Sequence, residues 1–179
     1  MVKLSDLEVG KTLTYTYGPV TRNNITKYAS VSADRNNIHI DDEYAAKMGL
    51  KGVIAHGCYS LAMIGECLVE IAGEKGDVVR IYGEMRGMVR PGDMWKITLT
   101  VKDIHDDLVE LEFVEESKTP IKIEKNGQII KKFEAEERGW VTEKDIEQGL
   151  IKTEVTEEGM LHYRLRKAIP GIATLRLER

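Results

Sequence analysis

Two side chains able to share a proton or a water lie five positions apart early in the chain: Asp34 and His39, in Ser32-Ala33-Asp34-Arg35-Asn36-Asn37-Ile38-His39. Asparagine tolerates turn and left-handed backbone conformations, and two in succession argue for a loop here instead of a continuing helix. A loop can fold both groups onto one side. Imidazole titrates nearest neutral pH, and a carboxylate beside it can fix its tautomer or grip the same water. The pair suits adding water to a polarised double bond, or removing it. Taken alone, this spacing more often marks a helix cap and a half-buried ring, so the residues C-terminal to the pair carry weight.

Fifteen or so positions on, Ile54-Ala55-His56-Gly57 opens an apolar run that reaches Gly73. The first N–H groups of a helix have no partner inside it and carry partial positive charge. A thioester carbonyl placed there would be polarised, and a developing enolate held, as in an oxyanion hole. Gly57 has no side chain to keep a substrate from its N–H. The plainer reading of Gly57 is tight packing.

The pattern Tyr28-Ala29-x-x-Ser32-x-Asp34-x-Asn36-x-Ile38-His39-x-Asp41, followed by Ala45, Gly49 and Ile54-Ala55-His56-Gly57, resembles the MaoC-like dehydratases, which include the (R)-specific enoyl-CoA hydratases. Their pattern reads roughly S-G-D-x-N-P-I-H, five residues, then Ala. Here Ala33 stands for the Gly and Asn37 for the Pro, which removes one rigid φ and adds a Cβ. Val89-Arg90-Pro91-Gly92-Asp93 is similar to the V-x-P-G-D turn of the same proteins. The resemblance spans roughly residues 5–140. It implies a hot-dog fold, with dimers whose sheets join and whose sites lie at the subunit interface. It also implies a hydro-lyase acting on acyl-CoA or acyl-carrier-protein thioesters, with an (R)-3-hydroxyacyl product. Asp34 and His39 would be catalytic, the Gly57 N–H the oxyanion donor, and Asn36 a support of the loop. No cofactor is expected beyond the coenzyme A of the substrate itself, and no G-x-G-x-x-G is present to bind a nicotinamide.

At 179 residues the chain is long enough for one domain with a full core. Its 26 Lys and Arg against 30 Asp and Glu are spread without a basic block, so nucleic acid is not implied. Cys58 and Cys67 sit nine positions apart on one helix, roughly 13 Å at helical rise and too far to bridge, which favours a reducing compartment. The opening MVKLSDLEVGKT lacks the apolar run of a signal peptide. The longest apolar stretch carries Glu66 and Glu70 and is too short to span a bilayer. A cytoplasmic protein is expected.

The elements that must position the pair are set by pattern. Residues 11–17 alternate and are rich in Thr and Tyr, a strand. Thr21 is an N-cap, and Ile25, Tyr28, Ala29 and Val31 give helical spacing up to the loop. Asp41, Asp42 and Glu43 place acid in the first turn of a second short helix, 41–48, with Gly49 as its left-handed stop. Residues 56–72 form the long helix, with Leu61, Ile64, Leu68 and Ile71 in one stripe and Tyr59, Met63 and Cys67 in another; so wide an apolar surface wants burial on most sides. Strands are expected at 78–89, 94–104, 108–117 and 121–138, with Asn126-Gly127 marking a hairpin. The predicted architecture is therefore α+β, a long central helix wrapped by an antiparallel sheet over residues 1–140. Residues 141–179 form a C-terminal extension of underived role, holding a short helix capped by Thr142 and, near 161–169, an extra strand or an arm over a neighbouring subunit.

Other candidates weigh less. His39-Ile40-Asp41 has no nearby His or Cys cluster to complete a metal site. His56 reads as a structural ring at the helix start, His105 as solvated among acids. Arg86 and Arg90 would meet coenzyme A phosphates, although surface arginines usually do no such work. Ser60 and Cys58 have no base beside them to make a covalent nucleophile. Two rival readings remain. One is a hot-dog thioesterase, for which Glu66 or Glu70 would supply the carboxylate. The other is a non-catalytic acyl-binding subunit paired with an active partner, for which a complete Asp34–His39 pair would have no use.

Overall fold

The computed structural model describes residues 2–178. After a single 3-10 turn (Leu4–Asp6) the chain forms β1 (Thr12–Tyr17), then three short helices, α1 (Arg22–Ser32), α2 (Asn37–Ile40) and α3 (Asp42–Lys47). The long helix α4 (Gly57–Ala72) and β2 (Asp77–Gly83) come next. The antiparallel run comprises β3 (Met94–His105), β4 (Leu108–Lys125) and β5 (Gln128–Lys132). Two short helices, α5 (Glu134–Glu137) and α6 (Glu143–Glu147), precede β6 (Ile151–Val155) and β7 (Met160–Arg176). The sheet is antiparallel throughout, in the order β1-β3-β4-β7-β2, with β5 added to β4 and β6 to β7. Among the described residues no helix is long and apolar enough to cross a membrane.

Alternation builds the core. Trp95, Ile97, Leu99 and Val101 of β3 are all buried, as their spacing requires. Val109, Leu111 and Phe113 of β4 and Ile169, Ala173 and Leu175 of β7 continue the surface. Ile64, Cys67, Leu68, Ile71 and Ala72 of α4 lie on it, and Leu61, Tyr59 and Met63 pack at its border. The helix is covered on this side only: Val69 remains 59% exposed on the outer face. A long helix cradled by a curled antiparallel sheet is the hot-dog arrangement.

Three differences from the expected pattern have physical reasons. The strands expected at 108–117 and 121–138 are one strand to residue 125, a turn at Asn126-Gly127, and β5. Pro120 is tolerated because β3 pairs only as far as Lys118, and the register with β7 shifts between Pro120 and Lys122. The strand expected at 78–89 stops at Gly83; beyond it the chain hangs on β7 by single bonds, Glu84 N–H to the Pro170 carbonyl at 3.0 Å and Arg86 N–H to that of Ala168 at 2.8 Å. The segment set apart at 141–179 supplies β7, which lies between β4 and β2 and joins them. Its alternation is broken by Ala168, Ile169 and Pro170, where the register with β4 shifts, which is why only 161–169 reads as a strand.

The inward face of β4 turns polar partway along, at Glu115, Ser117 and Thr119, all buried, before Ile121 and Ile123 restore it. Trp95 donates its indole N–H to Ser60 Oγ at 2.9 Å. That leaves the Ser60 proton to face Glu115, whose oxygens otherwise find no partner among the described residues. Burial pushes the Glu115 carboxyl up to about 8, with Ser60 pulling it back. The unfolded chain ionises this group near its ordinary 4.5, so native stability falls as pH rises from there and levels off past about 8. Glu115→Gln is therefore expected to stabilise the fold by roughly 2–3 kcal/mol at pH 7, with the gain shrinking steadily as pH falls toward 4.5. Urea unfolding of both proteins across pH 4–8 checks this.

Candidate active site

Local capping sets the Asp34 loop. Thr21 Oγ1 accepts from Asn24 N–H at 3.0 Å and starts α1. Ala33 ends it in the left-handed conformation, φ 61°, where Gly is ordinarily preferred. Asp34 Oδ1 accepts from Asn36 N–H at 3.3 Å, and Asn36 Oδ1 from Ile38 N–H at 3.2 Å. Asn36 is thus the cap of α2, and Asn37 occupies its first helical position. Asp41 caps α3 by accepting from Tyr44 N–H at 2.9 Å. Gly49, at φ 82°, succeeds the last turn of α3.

Two histidines close the loop onto the chain before α4. His39 Nδ1 lies 2.8 Å from the Ile54 carbonyl. A carbonyl only accepts, so Nδ1 carries the proton and Nε2 presents its lone pair. His56 Nε2 donates to the Asp34 carbonyl at 2.9 Å in the same way, and its buried Nδ1 has no partner among the described residues. The two rings stack with centroids 3.8 Å apart. One donor atom from each of Asp34, His39 and His56 lies within 4.8 Å of the others. Asp34 is exposed and His39 nearly buried. Burial lowers the His39 pKa and the neighbouring His56 adds to this, while the Ile54 carbonyl and Asp34 pull it back up. His39 is therefore a neutral base over most of the neutral range.

Gly57 stands where the sequence placed it, at the helix start. Gly57 is the first residue of α4, so its N–H has no intrahelical acceptor. A Cβ there would meet Met85 Sδ at 2.7 Å. Met85, an exposed thioether side chain lying over this helix start, is a residue that spacing alone did not single out. Tyr28 and Tyr59 are others: Tyr28 packs on His56 with centroids 5.0 Å apart and stacks on Tyr59, which meets Trp95 edge-on. Tyr28 and Tyr59 also line an open groove of about 300 Å³ with Asn24, Lys27 and Val31. The helical spacing of Tyr28 was visible in the sequence; its meeting with Tyr59 depends on the tertiary fold.

The remaining candidates sort clearly. Arg86 is exposed and bound to Glu84, Nε to Oε2 at 2.8 Å. Arg90 is 6% exposed and lies 4.9 Å from the Trp140 ring, in a separate cavity with residues of the C-terminal segment. Arg86 and Arg90 are thus not brought together. Glu70 accepts from the Tyr17 hydroxyl at 3.2 Å, and Glu66 is exposed. They stand thirteen and nine residues beyond Gly57 respectively, roughly 20 and 14 Å along the helix. Asp41, considered as a metal partner of His39, caps α3 instead, and His56 takes its place in the cluster. Asp34, His39 and His56 are the donor types that hold a divalent ion, but stacked rings send their in-plane lone pairs side by side instead of to one point. His105 meets Asp103 at 2.7 Å.

Ion pairs hold the site to its frame. Arg22 reaches Asp42 at 2.8 Å and Glu134 at 2.7 Å, and Arg138 reaches the same two acids at 3.1 and 2.6 Å. Burial alone would raise the Asp42 pKa; the Val53 N–H, Arg22 and Arg138 overcome it and hold it low. The network ties α1, α3 and α5 to the segment entering α4.

The hot-dog fold, with Asp34 and His39 beside the start of its central helix, is that of the MaoC-like proteins. The sequence pattern described as MaoC like domain matches residues 6–123, and the chain belongs to this family of hydratases and dehydratases. It is 39% identical over 82 residues to a fatty acid synthase subunit beta from Aspergillus oryzae, covering 44% of this chain and 4% of that protein. It is 28% identical over 100 residues to a 3-hydroxybutyryl-CoA dehydratase from Methylorubrum extorquens, covering 55% of this chain and 63% of that one. The chain thus spans less than two thirds of either relative. The R-hydratase PhaJ1 from Pseudomonas aeruginosa, solved unliganded, superposes with a TM-score of 0.67 at 20% identity, over 99% of this chain and 87% of that one.

The two departures from the family motif sit where the backbone favours the family's residues. Ala33 holds a positive φ, at about 1–2 kcal/mol for a residue with a Cβ. Asn37 is at the first helical position, where proline is favoured, and Asn36 before it is extended, ψ 129°, as a residue preceding proline must be. Ala33→Gly and Asn37→Pro are each expected to stabilise the fold by about 0.5–1 kcal/mol. Chemical denaturation read by Trp fluorescence tests both; loss of stability in either would mean the loop differs from this description.

Proposed function

We propose that this protein adds water reversibly to a trans-2-enoyl thioester, giving a 3-hydroxyacyl thioester of R configuration. The observation that carries the reading is the free Nε2 of a neutral His39 beside Asp34 at the start of α4. Asp34 and His39 hold one water; His39 Nε2 takes its proton as the oxygen bonds to Cβ. The Gly57 N–H stabilises the enolate oxygen. The dyad then returns a proton to Cα on the same face, so acid and base end as they began. The reaction needs no metal and no nicotinamide, and coenzyme A enters only as part of the substrate; an acyl carrier protein would serve as well. The groove beside Tyr28 and Tyr59 suits the carrier arm or acyl chain.

The acting form is a homodimer in a reducing, cytoplasmic setting. Support comes from the edge strand β2, whose Val79 and Tyr82 are exposed beside Ile172, and from two free cysteines. Neither nucleic acid nor membrane has a part. No observation favours the thioesterase reading, since Glu66 and Glu70 stand turns away from Gly57.

Hydration of crotonyl-CoA, followed by loss of enoyl absorbance, tests the proposal. Asp34→Asn and His39→Gln should each lose roughly two to four decades in rate with the fold intact. An inactive wild type on short and long enoyl-CoAs would sink the hydratase reading. Free thiol released in the same cuvette and surviving Asp34→Asn would replace it with a thioesterase. The pH profile gives a further check. A base with a lowered pKa works until it is protonated, so kcat/KM should hold flat as pH falls to the ordinary histidine value of 6.5 and drop below it.

A further inference from the structure

Residues 139–166 close a cavity of about 180 Å³ against the loop before α4. Its walls carry four cations, Lys51, Arg90, Arg164 and Arg166, against one acid, Asp145. Two of the cations are inside the protein: Arg90 is 6% exposed and Arg164 3%. Buried charge of one sign is expensive unless paired, and here the pairing is incomplete. Arg164 binds the Trp140 carbonyl at 2.9 Å and Thr119 Oγ1 at 3.1 Å, and stands 3.7 Å from Asp145, yet its buried Nε has no partner among the described residues. Arg90 has weaker company still. Nη1 lies 3.5 Å from the Gly52 carbonyl, Nη2 lies 3.9 Å from Met88 Sδ, and the guanidinium rests on Trp140. Asp145 is itself engaged by Thr142, which donates to it from N–H at 2.9 Å and from Oγ1 at 2.8 Å. Asp93 gives one oxygen to the Arg90 backbone N–H. Burial first, and then Arg164, Arg166 and Arg138, lower the Arg90 pKa to about 10, with Asp93 opposing them, so the cations press on one another as well as on the solvent they have lost.

We propose that this cavity is a binding site for a compact phosphate-type oxyanion, held by Arg90 and Arg164 from within and by Lys51 and Arg166 at the rim. Size sets the class. The volume equals roughly six waters at about 30 Å³ each, enough for orthophosphate or pyrophosphate and below the about 300 Å³ at which pockets for drug-sized ligands begin. Guanidinium forks match phosphate oxygens in pairs. The site is separate from the hydration chemistry, since neither Asp34 nor His39 lines the cavity. It touches that chemistry through one loop: Leu50 and Lys51 lie on the same segment as Ile54 and His56, and Ala55 N–H binds the Val89 carbonyl, next to Arg90. An occupant would bind the C-terminal segment to the loop that orients both histidines.

Titration calorimetry with orthophosphate and with pyrophosphate, at ionic strength matched by chloride, tests the proposal. One saturable site per chain for either anion is expected. Lys51→Met/Arg166→Met changes only exposed side chains, and should keep its circular dichroism while weakening the anion at least tenfold. Heats that fail to saturate, or that are equal in wild type and variant, mean the anions associate without the site and would overturn it. Saturation by coenzyme A but by neither free anion would overturn it in favour of a carrier phosphate. Because crotonyl-CoA hydration is read separately, either proposal can fail alone.

Discussion

Each site histidine reaches across to the other's segment. His39, on α2 just past the Asp34 loop, donates to the Ile54 carbonyl; His56, two residues past Ile54, donates to the Asp34 carbonyl. The two bonds cross, and the rings between them stack at 3.8 Å. Singly, each bond contributes about 1 kcal/mol. Together they fix three things: which nitrogen of His39 is bare, where Asp34 stands, and how the loop meets the first turn of α4. The capping residues, the Arg22–Asp42–Glu134–Arg138 network and the Tyr28–Tyr59 stack all hold this crossing in place. His56, read from the sequence as a structural ring, is structural in a demanding sense, since it positions the backbone of the acid.

The features legible in advance were those that local chemistry decides. The Thr21 cap, the inward face of β3 and the Asn126-Gly127 turn are each dictated within a few residues, and each appears as the pattern requires; Asp41, read as part of the first turn of α3, is instead its cap. The two asparagines foretold the break after α1, but not that Asn37 would open the helical turn α2 that carries His39. The illegible features depend on partners distant in sequence. Arg90 looks like any surface arginine until Trp140 and Arg164 are folded over it. Glu115 keeps the period of a core strand while breaking its polarity, and only the meeting of β4 with Ser60 and Trp95 explains how it is tolerated. Met85 carries no motif; its place over Gly57 comes from the segment after β2 hanging on β7.

The buried side of β4 changes character along its length, and the molecule changes with it. Under α4 the face is Val109, Leu111 and Phe113, a hydrocarbon surface matched to Ile64, Leu68 and Ile71. From Glu115 to Thr119 it is polar, before Ile121 and Ile123 restore it, and Thr119 there accepts from Arg164, which also binds the Trp140 carbonyl and stands beside Asp145. The family pattern ends at residue 123, while the polar half takes its cover from residues past that point. The two halves are stabilised differently: one by area removed from water, the other by directed bonds that fail if a single partner is lost.

The place of β7 also governs how the molecule can come together. Leu108 pairs with Arg176 and Glu124 with Met160, so the centre of the sheet is stitched between stretches of chain far apart in sequence. Chain entropy must be surrendered before such pairings return anything, and topologies dominated by them fold on the millisecond-to-second scale. Until β7 arrives, β2 has no neighbour in the sheet and the apolar side of α4 lacks part of its cover. Any chain in which β7 has not yet docked leaves the β2 edge and part of α4 uncovered, the surfaces through which copies of such a chain would associate.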